Sequence, residues 1–212
     1  MKQHIAIVAS GALDNSFLPK IRKSDVTIGV DGGAYWLLTH GIVPDVAIGD
    51  FDSVTKSELG QIKKSGANII QELPHPKYVT DLELAVEHAI GLKSKEVWIF
   101  GAIGTRFDHT HAGIQVLLKL SSHNVCGYLV DKYNEIQIVR RGLTLKPLKT
   151  YPYVSIFPIG EKAVVTLAGF RYNVSSRVFM RGSTLGVSNE IAAACAHISV
   201  HDGEILLIRS RD

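Results

Sequence analysis

The first two thirds of the chain alternate short apolar runs with longer amphipathic stretches. The runs lie at residues 5–9, 26–30, 46–48, 97–100 and 127–130. Strands that are apolar on both sides are typical of a parallel sheet covered on both faces, because neither face then meets water. The alternation therefore predicts an α/β fold in which helices flank a parallel sheet.

Two of the amphipathic stretches carry helix signals. Residues 80–83 match a capping box, and apolar residues recur from there to Gly91 at the spacing of a helix. A second helix is predicted from His111 to Leu120, with Asp108 and His109 immediately before its first turn.

After Arg141 the pattern changes to short, alternating, β-branched segments. The predicted strands cover residues 153–157, 163–167, 170–174, 177–180, 196–200 and 204–208. Asp202-Gly203 lies between the last two and is a strong hairpin signal. We therefore predict an N-terminal α/β domain at 1–143 and a small antiparallel β domain at 144–212.

Composition narrows the class of protein. Hydrophobic residues make up 46% and charged residues 20%, which is typical of a globular chain. The net charge of +3 and the basic pair Arg140-Arg141 do not support nucleic-acid binding. The run at 5–9 is too short to span a membrane. Cys126 and Cys195 lie far apart among apolar neighbours, which predicts buried, reduced thiols and a cytoplasmic protein.

Glycines and carboxylates follow the predicted strands. The segments are Ser10-Gly11, 31–33, 49–53 and 101–109. Ligands of an open parallel sheet bind beyond the carboxyl ends of the strands, and glycine lets the backbone approach a phosphate. Any one of these loops alone can be a plain turn, but four on one edge favour a phosphate site.

The acidic residues of this edge suggest a metal. Asp50 and Asp52 are two residues apart, so an extended backbone would point both side chains the same way, toward a shared Mg²⁺. Asp81 has two explanations that stay open, favourable interaction with its helix dipole or a third carboxylate near the metal. Arg106 and Asp108 either form a loop ion pair, or Arg106 neutralises a phosphoryl group.

Five segments in order along the chain resemble thiamine pyrophosphokinase. They are 31–34, 44–53, 80–83, 101–109 and 186–190. The resemblance implies an ATP-binding N-terminal domain and a C-terminal β-sandwich that contributes to a thiamine site. It also implies a homodimer with the active site near the subunit interface. Two residues depart from the family pattern, Tyr78 where an aspartate is usual and Gly113 where an asparagine is usual.

The resemblance also assigns roles to residues. Asp50, Asp52 and Asp81 are expected to bind Mg²⁺ and, with Arg106, to be catalytic. Two further sets are expected to bind ATP and thiamine. The ATP set is Asp31, Gly32, Gly33, Gly104, Arg106, Asp108 and His109, and the thiamine set is Ser188 and Asn189. The implied reaction moves the β,γ-diphosphate of ATP to the hydroxyethyl group of thiamine and releases AMP, with Asp81 as a candidate proton acceptor.

Two alternatives remain from the sequence. Asp50-x-Asp52 also resembles the nucleophile motif of haloacid-dehalogenase-type phosphatases, in which Asp50 would be phosphorylated. That motif normally closes the first strand of its domain, whereas here two predicted strands precede the strand that Asp50 follows. The other alternative is a non-catalytic nucleotide- or RNA-binding module, which would need the glycine loops but not three carboxylates.

Overall fold

A parallel sheet forms the centre of the first unit, Met1–Lys132, in the computed structural model, which describes residues 3–71 and 79–212. Its strands are β1 (His4–Val8), β2 (Val26–Val30), β3 (Val46–Gly49), β4 (Asn68–Gln71), β5 (Glu96–Phe100) and β6 (Cys126–Val130). They lie in the order β6-β5-β1-β2-β3-β4, and every pair is parallel. The parallel α/β prediction is confirmed; β4 was missed because Asn68 and Gln71 flank only two apolar residues.

The strand order reverses between β1 and β5. The strands β2 to β4 extend the sheet on one side of β1, and β5 and β6 extend it on the other. Such a reversal opens a crevice beyond the carboxyl ends of the two strands. Here the amide of Gly11 donates to the carbonyl of Gly101 at 2.8 Å. A Cβ at Gly11 would lie 2.3 Å from that oxygen, so glycine is required where the two loops meet.

Among the described residues, five α-helices accompany this sheet. They are α1 (Leu18–Ile21), α2 (Gly32–Thr39), α3 (Lys56–Lys64), α4 (Asp81–Gly91) and α5 (Phe107–Ser122). The start of α4 is as predicted, since the hydroxyl of Thr80 accepts the amide of Glu83 at 3.2 Å. However, α5 begins at Phe107 and not at His111, so Asp108 and His109 belong to its first turn. That polar first turn lacks the apolar spacing by which the helix was recognised.

Two antiparallel sheets form the second unit, Tyr133–Asp212. The strands are β7 (Asn134–Val139), β8 (Gly142–Leu145), β9 (Tyr153–Pro158), β10 (Lys162–Ala168), β11 (Val174–Met180), β12 (Asn189–Glu190), β13 (Ala196–Asp202) and β14 (Ile205–Ser210). One sheet has the order β12-β9-β14-β7 and the other β11-β10-β13-β8. Ile156 and Leu207 of the first sheet share a buried core with Val165, Phe179 and Ile198 of the second. The second unit is therefore the predicted β-sandwich.

The predicted boundary between residues 143 and 144 is too late. The chain divides between Lys132 and Tyr133, because β7 pairs with β14 and β8 pairs with β13. Both partners lie far downstream, so the sequence near 134–145 gives no local sign of the sheets to which it belongs.

The hairpin predicted at Asp202-Gly203 is also wrong. Gly203 has a positive φ of 76°, as a tight turn requires. The turn nevertheless leads from one sheet to the other, because β13 pairs with β8 and β10 whereas β14 pairs with β7 and β9. The strand predicted at 170–174 is reduced to one bridge between Phe170 and Ile191.

Both cysteines are free thiols, but neither is buried as predicted. Cys126 is exposed, and Cys195 is partly exposed. In the ranges that the structure describes, no helix is both long enough and apolar enough to cross a bilayer.

Candidate active site

A cleft of about 1140 Å³ opens in the first unit beyond β1, β2, β3 and β5. Its volume is ample for a small-molecule ligand. Seven of the predicted site residues line it, namely Asp31, Asp50, Asp52, Asp81, Gly104, Arg106 and His109. The parallel strands bring together side chains that are up to 78 positions apart in sequence, from Asp31 to His109.

The loop after β3 turns sharply between its two aspartates. Phe51 has a φ of +59° and is buried, while Asp50 and Asp52 on either side of it line the cleft. The amide of Asp52 donates to Oδ1 of Asp50 at 3.1 Å. The extended backbone predicted for this segment is therefore wrong, although both carboxylates still reach the cleft.

Three carboxylates lie close enough to share a cation. Asp31, Asp50 and Asp81 each offer one oxygen, and these oxygens lie within 4.8 Å of one another. Asp52 does not belong to this group, and Asp31 was predicted for ATP rather than for metal. A set of carboxylate oxygens suits a hard cation such as Mg²⁺, and their mutual repulsion is relieved by a positive charge between them. The residues present thus fit a divalent cation.

The pKa of Asp31 is shifted by burial and by the neighbouring carboxylates. Burial raises the pKa of its carboxyl group to about 6; the hydrogen bond from the Phe51 amide opposes that rise, and the charges of Asp81, Asp50 and Asp52 add to it. Its Oδ1 accepts the Phe51 amide at 3.0 Å. A Cβ at Gly49 would lie 1.9 Å from the same oxygen, so glycine at 49 makes room for the carboxylate.

The two glycines that open α2 make different contacts with neighbouring segments. The amide of Gly32 donates to the hydroxyl of Ser53 at 3.3 Å. Gly33 is buried, and a Cβ there would lie 2.0 Å from the carbonyl oxygen of Val8. Neither glycine lines the cleft, so their contact with ATP stays a prediction.

Arg106 and Asp108 form the loop ion pair that the sequence allowed. Nε and Nη2 of Arg106 donate to the two carboxylate oxygens of Asp108 at 3.2 and 2.5 Å. This contact lowers the pKa of Asp108 and raises the pKa of Arg106. Both side chains are exposed, so Arg106 can change partner at little cost.

Lys119 ties together the two helices that flank the cleft. It belongs to α5, and its ammonium group contacts Glu83 of α4 at 2.7 Å and also Glu87. The N-terminal turn of α4 carries Asp81, and the first turn of α5 carries His109. The ion pair therefore contributes to the spacing of these two site residues.

Several polar cleft residues were not predicted from the sequence. They are Ser10, Ser53, Thr80, Glu83 and Thr105. All five lie in segments already singled out from the sequence, at 10–11, 49–53, 80–83 and 101–109, so their position at the same sheet edge was the signal that could have assigned them to the site.

The predicted thiamine residues lie in the second unit, beside an apolar cavity of about 310 Å³. Asn189 lines this cavity but is itself buried: its Oδ1 accepts the amides of Tyr172 and Glu190, and its Nδ2 donates to the carbonyl of Tyr172 at 2.8 Å. Ser188 is exposed, and its amide donates to the hydroxyl of Ser155 at 3.0 Å. Asn189 thus shapes the wall of the cavity, while Ser188 is exposed next to it in the chain.

Of the two departures from the family pattern, one can be located. Gly113 is buried in α5, and a Cβ there would lie 2.9 Å from Cδ2 of Leu129 in β6. Leu129 therefore fills the space that a longer side chain at 113 would need. Tyr78 lies outside the described residues.

Comparison with known proteins gives consistent matches across the chain. The family model for the thiamin pyrophosphokinase catalytic domain matches residues 18–129, and that for the thiamin pyrophosphokinase vitamin B1 binding domain matches residues 136–205. A thiamine pyrophosphokinase of Bacillus subtilis is 37% identical over 187 residues, with 87% of each chain covered.

Solved structures agree with the sequence matches. A thiamine pyrophosphokinase crystal structure from Bacillus subtilis matches with a TM-score of 0.92 and 34% identity, covering 99% of this chain and 100% of the other. One from Geobacillus thermodenitrificans matches with a TM-score of 0.88 and 30% identity, covering 99% and 98%.

Proposed function

The chain belongs to the thiamine pyrophosphokinase family, and on that premise we propose that it transfers the β,γ-diphosphate of ATP to thiamine, giving thiamine diphosphate and AMP. The observation that carries the proposal is the cleft in which Asp31, Asp50 and Asp81 gather beside Arg106. Transfer of a phosphorus group needs positioning and charge neutralisation above all, and this cleft offers ligands for both.

In the proposed reaction the hydroxyethyl oxygen of thiamine attacks the β-phosphorus of ATP. A P–O bond forms there, the bond from the β-phosphorus to the bridging oxygen of AMP breaks, and the hydroxyl proton passes to a carboxylate, for which Asp81 is the candidate. Arg106 exchanges Asp108 for a phosphate oxygen, since a guanidinium binds either anion through two parallel hydrogen bonds. Gly104 and His109, which also line the cleft, are proposed to bind the triphosphate.

The carboxylate cluster is proposed to hold Mg²⁺. Asp31, Asp50 and Asp81 would be its protein ligands, and Asp52 would lie beside them and contact the ion or the phosphates. When bound, the ion neutralises charge on the phosphate oxygens. The residues Asp31, Gly32, Gly33 and Asp108 retain their predicted association with ATP as part of this proposal.

Thiamine recognition is proposed to involve the second unit. Ser188 is an exposed residue whose hydroxyl is proposed to contact thiamine, and Asn189 fixes the main chain of Tyr172 at the wall of the apolar cavity. An apolar wall with a few hydrogen-bonding groups suits a flat heteroaromatic ligand.

The phosphatase alternative is not favoured. Asp50 follows β3, the third strand of the sheet, whereas the nucleophile of the dehalogenase-type enzymes closes the first. The binding-module alternative is not favoured either, because the family matches include the catalytic domain.

The experiment is a product analysis. The protein is incubated with ATP, Mg²⁺ and thiamine, and AMP, ADP and thiamine diphosphate are quantified. We expect AMP and thiamine diphosphate in equal amounts, strongly reduced in Asp50→Asn. Glu161→Gln is the matched control, since that carboxylate is 89% exposed and lies in the other unit. ADP as the main product would contradict the proposal.

The assembly and location are also proposals. We propose a homodimer, supported by the apolar side chains that β11 exposes: Val178 and Met180 are 45% and 53% exposed. A dimer mass in light scattering would support it, and a monomer at assay concentration would contradict it.

We propose a cytoplasmic location, supported by the two free thiols, a form that reducing compartments maintain.

A further inference from the structure

Phe51 lies between two cleft aspartates without lining the cleft itself. It is 3% exposed, and its ring packs in an apolar cluster with Ala34 of α2, Ala47 of β3 and Ile62 of α3. Packing of the Phe51 ring therefore anchors residues 50–52 in the apolar core, while the two carboxylates line the cleft.

The backbone at Phe51 is in a conformation that its residue type disfavours. A φ of +59° is uncommon for any residue with a Cβ and is a genuine outlier for a bulky one. Such a conformation persists only where the surroundings enforce it. Two contacts do so here, the burial of the ring and the hydrogen bond from the Phe51 amide to Oδ1 of Asp31 at 3.0 Å.

This turn determines where the neighbouring carboxylates point. With an extended residue at 51, Asp50 and Asp52 would project from the same side of the strand. With the turn, Asp50 instead joins Asp31 and Asp81 in the three-carboxylate cluster, and Asp52 remains outside it. Asp31 takes part twice, as a member of the cluster and as the acceptor that holds the Phe51 amide.

We propose that Phe51 is a positioning residue for the reaction: its buried ring and its Asp31-bound amide hold the left-handed turn that places Asp50 beside Asp31 and Asp81. The proposal rests on the proposed function in that the cluster binds the cation of that reaction. It makes cation affinity depend on an apolar side chain that touches neither cation nor substrate.

The test compares four variants, Phe51→Ala, Phe51→Gly, Phe51→Leu and Ile62→Ala, with the wild type. It measures Mn²⁺ binding by electron paramagnetic resonance of the free ion, and activity by steady-state kinetics. Phe51→Ala removes the ring, and Phe51→Gly removes the ring while permitting the positive φ. Ile62→Ala is the matched control, because it removes a fully buried side chain of the same cluster and leaves the Phe51 ring and residues 50–52 unaltered in sequence. Circular dichroism and thermal unfolding establish that each variant is folded at the assay temperature.

We expect both Phe51 variants to lose Mn²⁺ affinity by roughly 10–100-fold, as when a residue supporting a metal ligand is removed. Turnover should fall with the affinity for the ion, while the KM for thiamine should stay within about twofold of the wild type, since Phe51 touches no substrate. Ile62→Ala should be destabilised similarly but keep its Mn²⁺ affinity. Phe51→Leu, which restores an apolar anchor, should recover most of the affinity.

Several results would overturn the proposal: wild-type Mn²⁺ affinity in Phe51→Gly, an equal loss in Ile62→Ala, or no Mn²⁺ binding by the wild-type protein. Failure of the proposed function is distinguishable from these. A wild type that binds Mn²⁺ but makes no thiamine diphosphate would refute the reaction and leave the comparison of Mn²⁺ affinities intact.

Discussion

Replacing Asp31 with asparagine should stabilise the metal-free protein at neutral and higher pH. Burial raises the pKa of Asp31 from 3.8 to about 6, so its ionised form is less favourable in the folded than in the unfolded chain. Asparagine is nearly isosteric, and its Oδ1 can still accept the Phe51 amide. The variant therefore removes the charge and keeps the hydrogen bond.

The magnitude follows from the shift in pKa. A rise of about 2 units at about 1.4 kcal/mol per unit corresponds to about 3 kcal/mol. Asp31 is only partly buried, so solvent screening lowers this to about 1–2 kcal/mol. The folded pKa is the higher one, so wild-type stability is greatest below the unfolded pKa and falls as pH rises through about 6.

The assay is urea unfolding of the wild type and Asp31→Asn in EDTA, from about pH 4 to about pH 8. Near pH 8, the free energy of unfolding of Asp31→Asn should exceed that of the wild type by about 1–2 kcal/mol. Near pH 4, the two free energies of unfolding should be nearly equal. Adding Mg²⁺ should stabilise the wild type more than the variant, because a cation at the cluster relieves the same repulsion. A difference between the proteins that does not change with pH would refute this reasoning.

Three further predictions concern the cleft and its support. Asp50→Asn and Asp81→Asn should raise the Mg²⁺ concentration for half-maximal activity more than Asp52→Asn does, because Asp52 lies outside the carboxylate cluster. Equal effects of the three variants in a Mg²⁺ titration would contradict the assignment of Asp31, Asp50 and Asp81 as the ligands. Arg106→Lys should lower kcat/KM by about tenfold or more, since lysine cannot form two parallel hydrogen bonds. The Tm should change little, because Arg106 is 72% exposed. Unchanged kinetics would remove Arg106 from the mechanism. Gly113→Ala should lower the free energy of unfolding by about 1–3 kcal/mol, because the added methyl group contacts Leu129. Gly91→Ala is the control and should be neutral or stabilising, because nothing lies within 4 Å of a Cβ at that position. Equal free energies of unfolding for the two variants would show that Leu129 moves aside freely.

The sheet edge could be predicted from the sequence because parallel strands align their carboxyl ends. Apolar runs located the strands, and the residues after them had to meet at one edge. The composition of the carboxylate cluster could not be predicted in this way. It depends on the turn at Phe51, whose amide is held by Asp31 of the loop after β2, a contact that the local pattern around residue 51 does not report.

The organisation of the second unit shows the same limit. Alternation identified most strands but not their partners, so the predicted boundary placed β7 in the wrong domain and divided β8 between the two. Asp202-Gly203 was recognised as a turn, yet which sheets it joins is decided by pairing with β7 and β9 on one side and with β8 and β10 on the other. Sequence-local signals therefore identify conformation at a turn better than they identify connectivity.

Transfer of an intact diphosphate can be followed with ATP labelled with ³²P at the β-phosphorus, together with thiamine and Mg²⁺. We expect all transferred label in thiamine diphosphate, with unlabelled AMP released in equal amount. Label retained in ADP, with thiamine phosphorylated one group at a time, would contradict it.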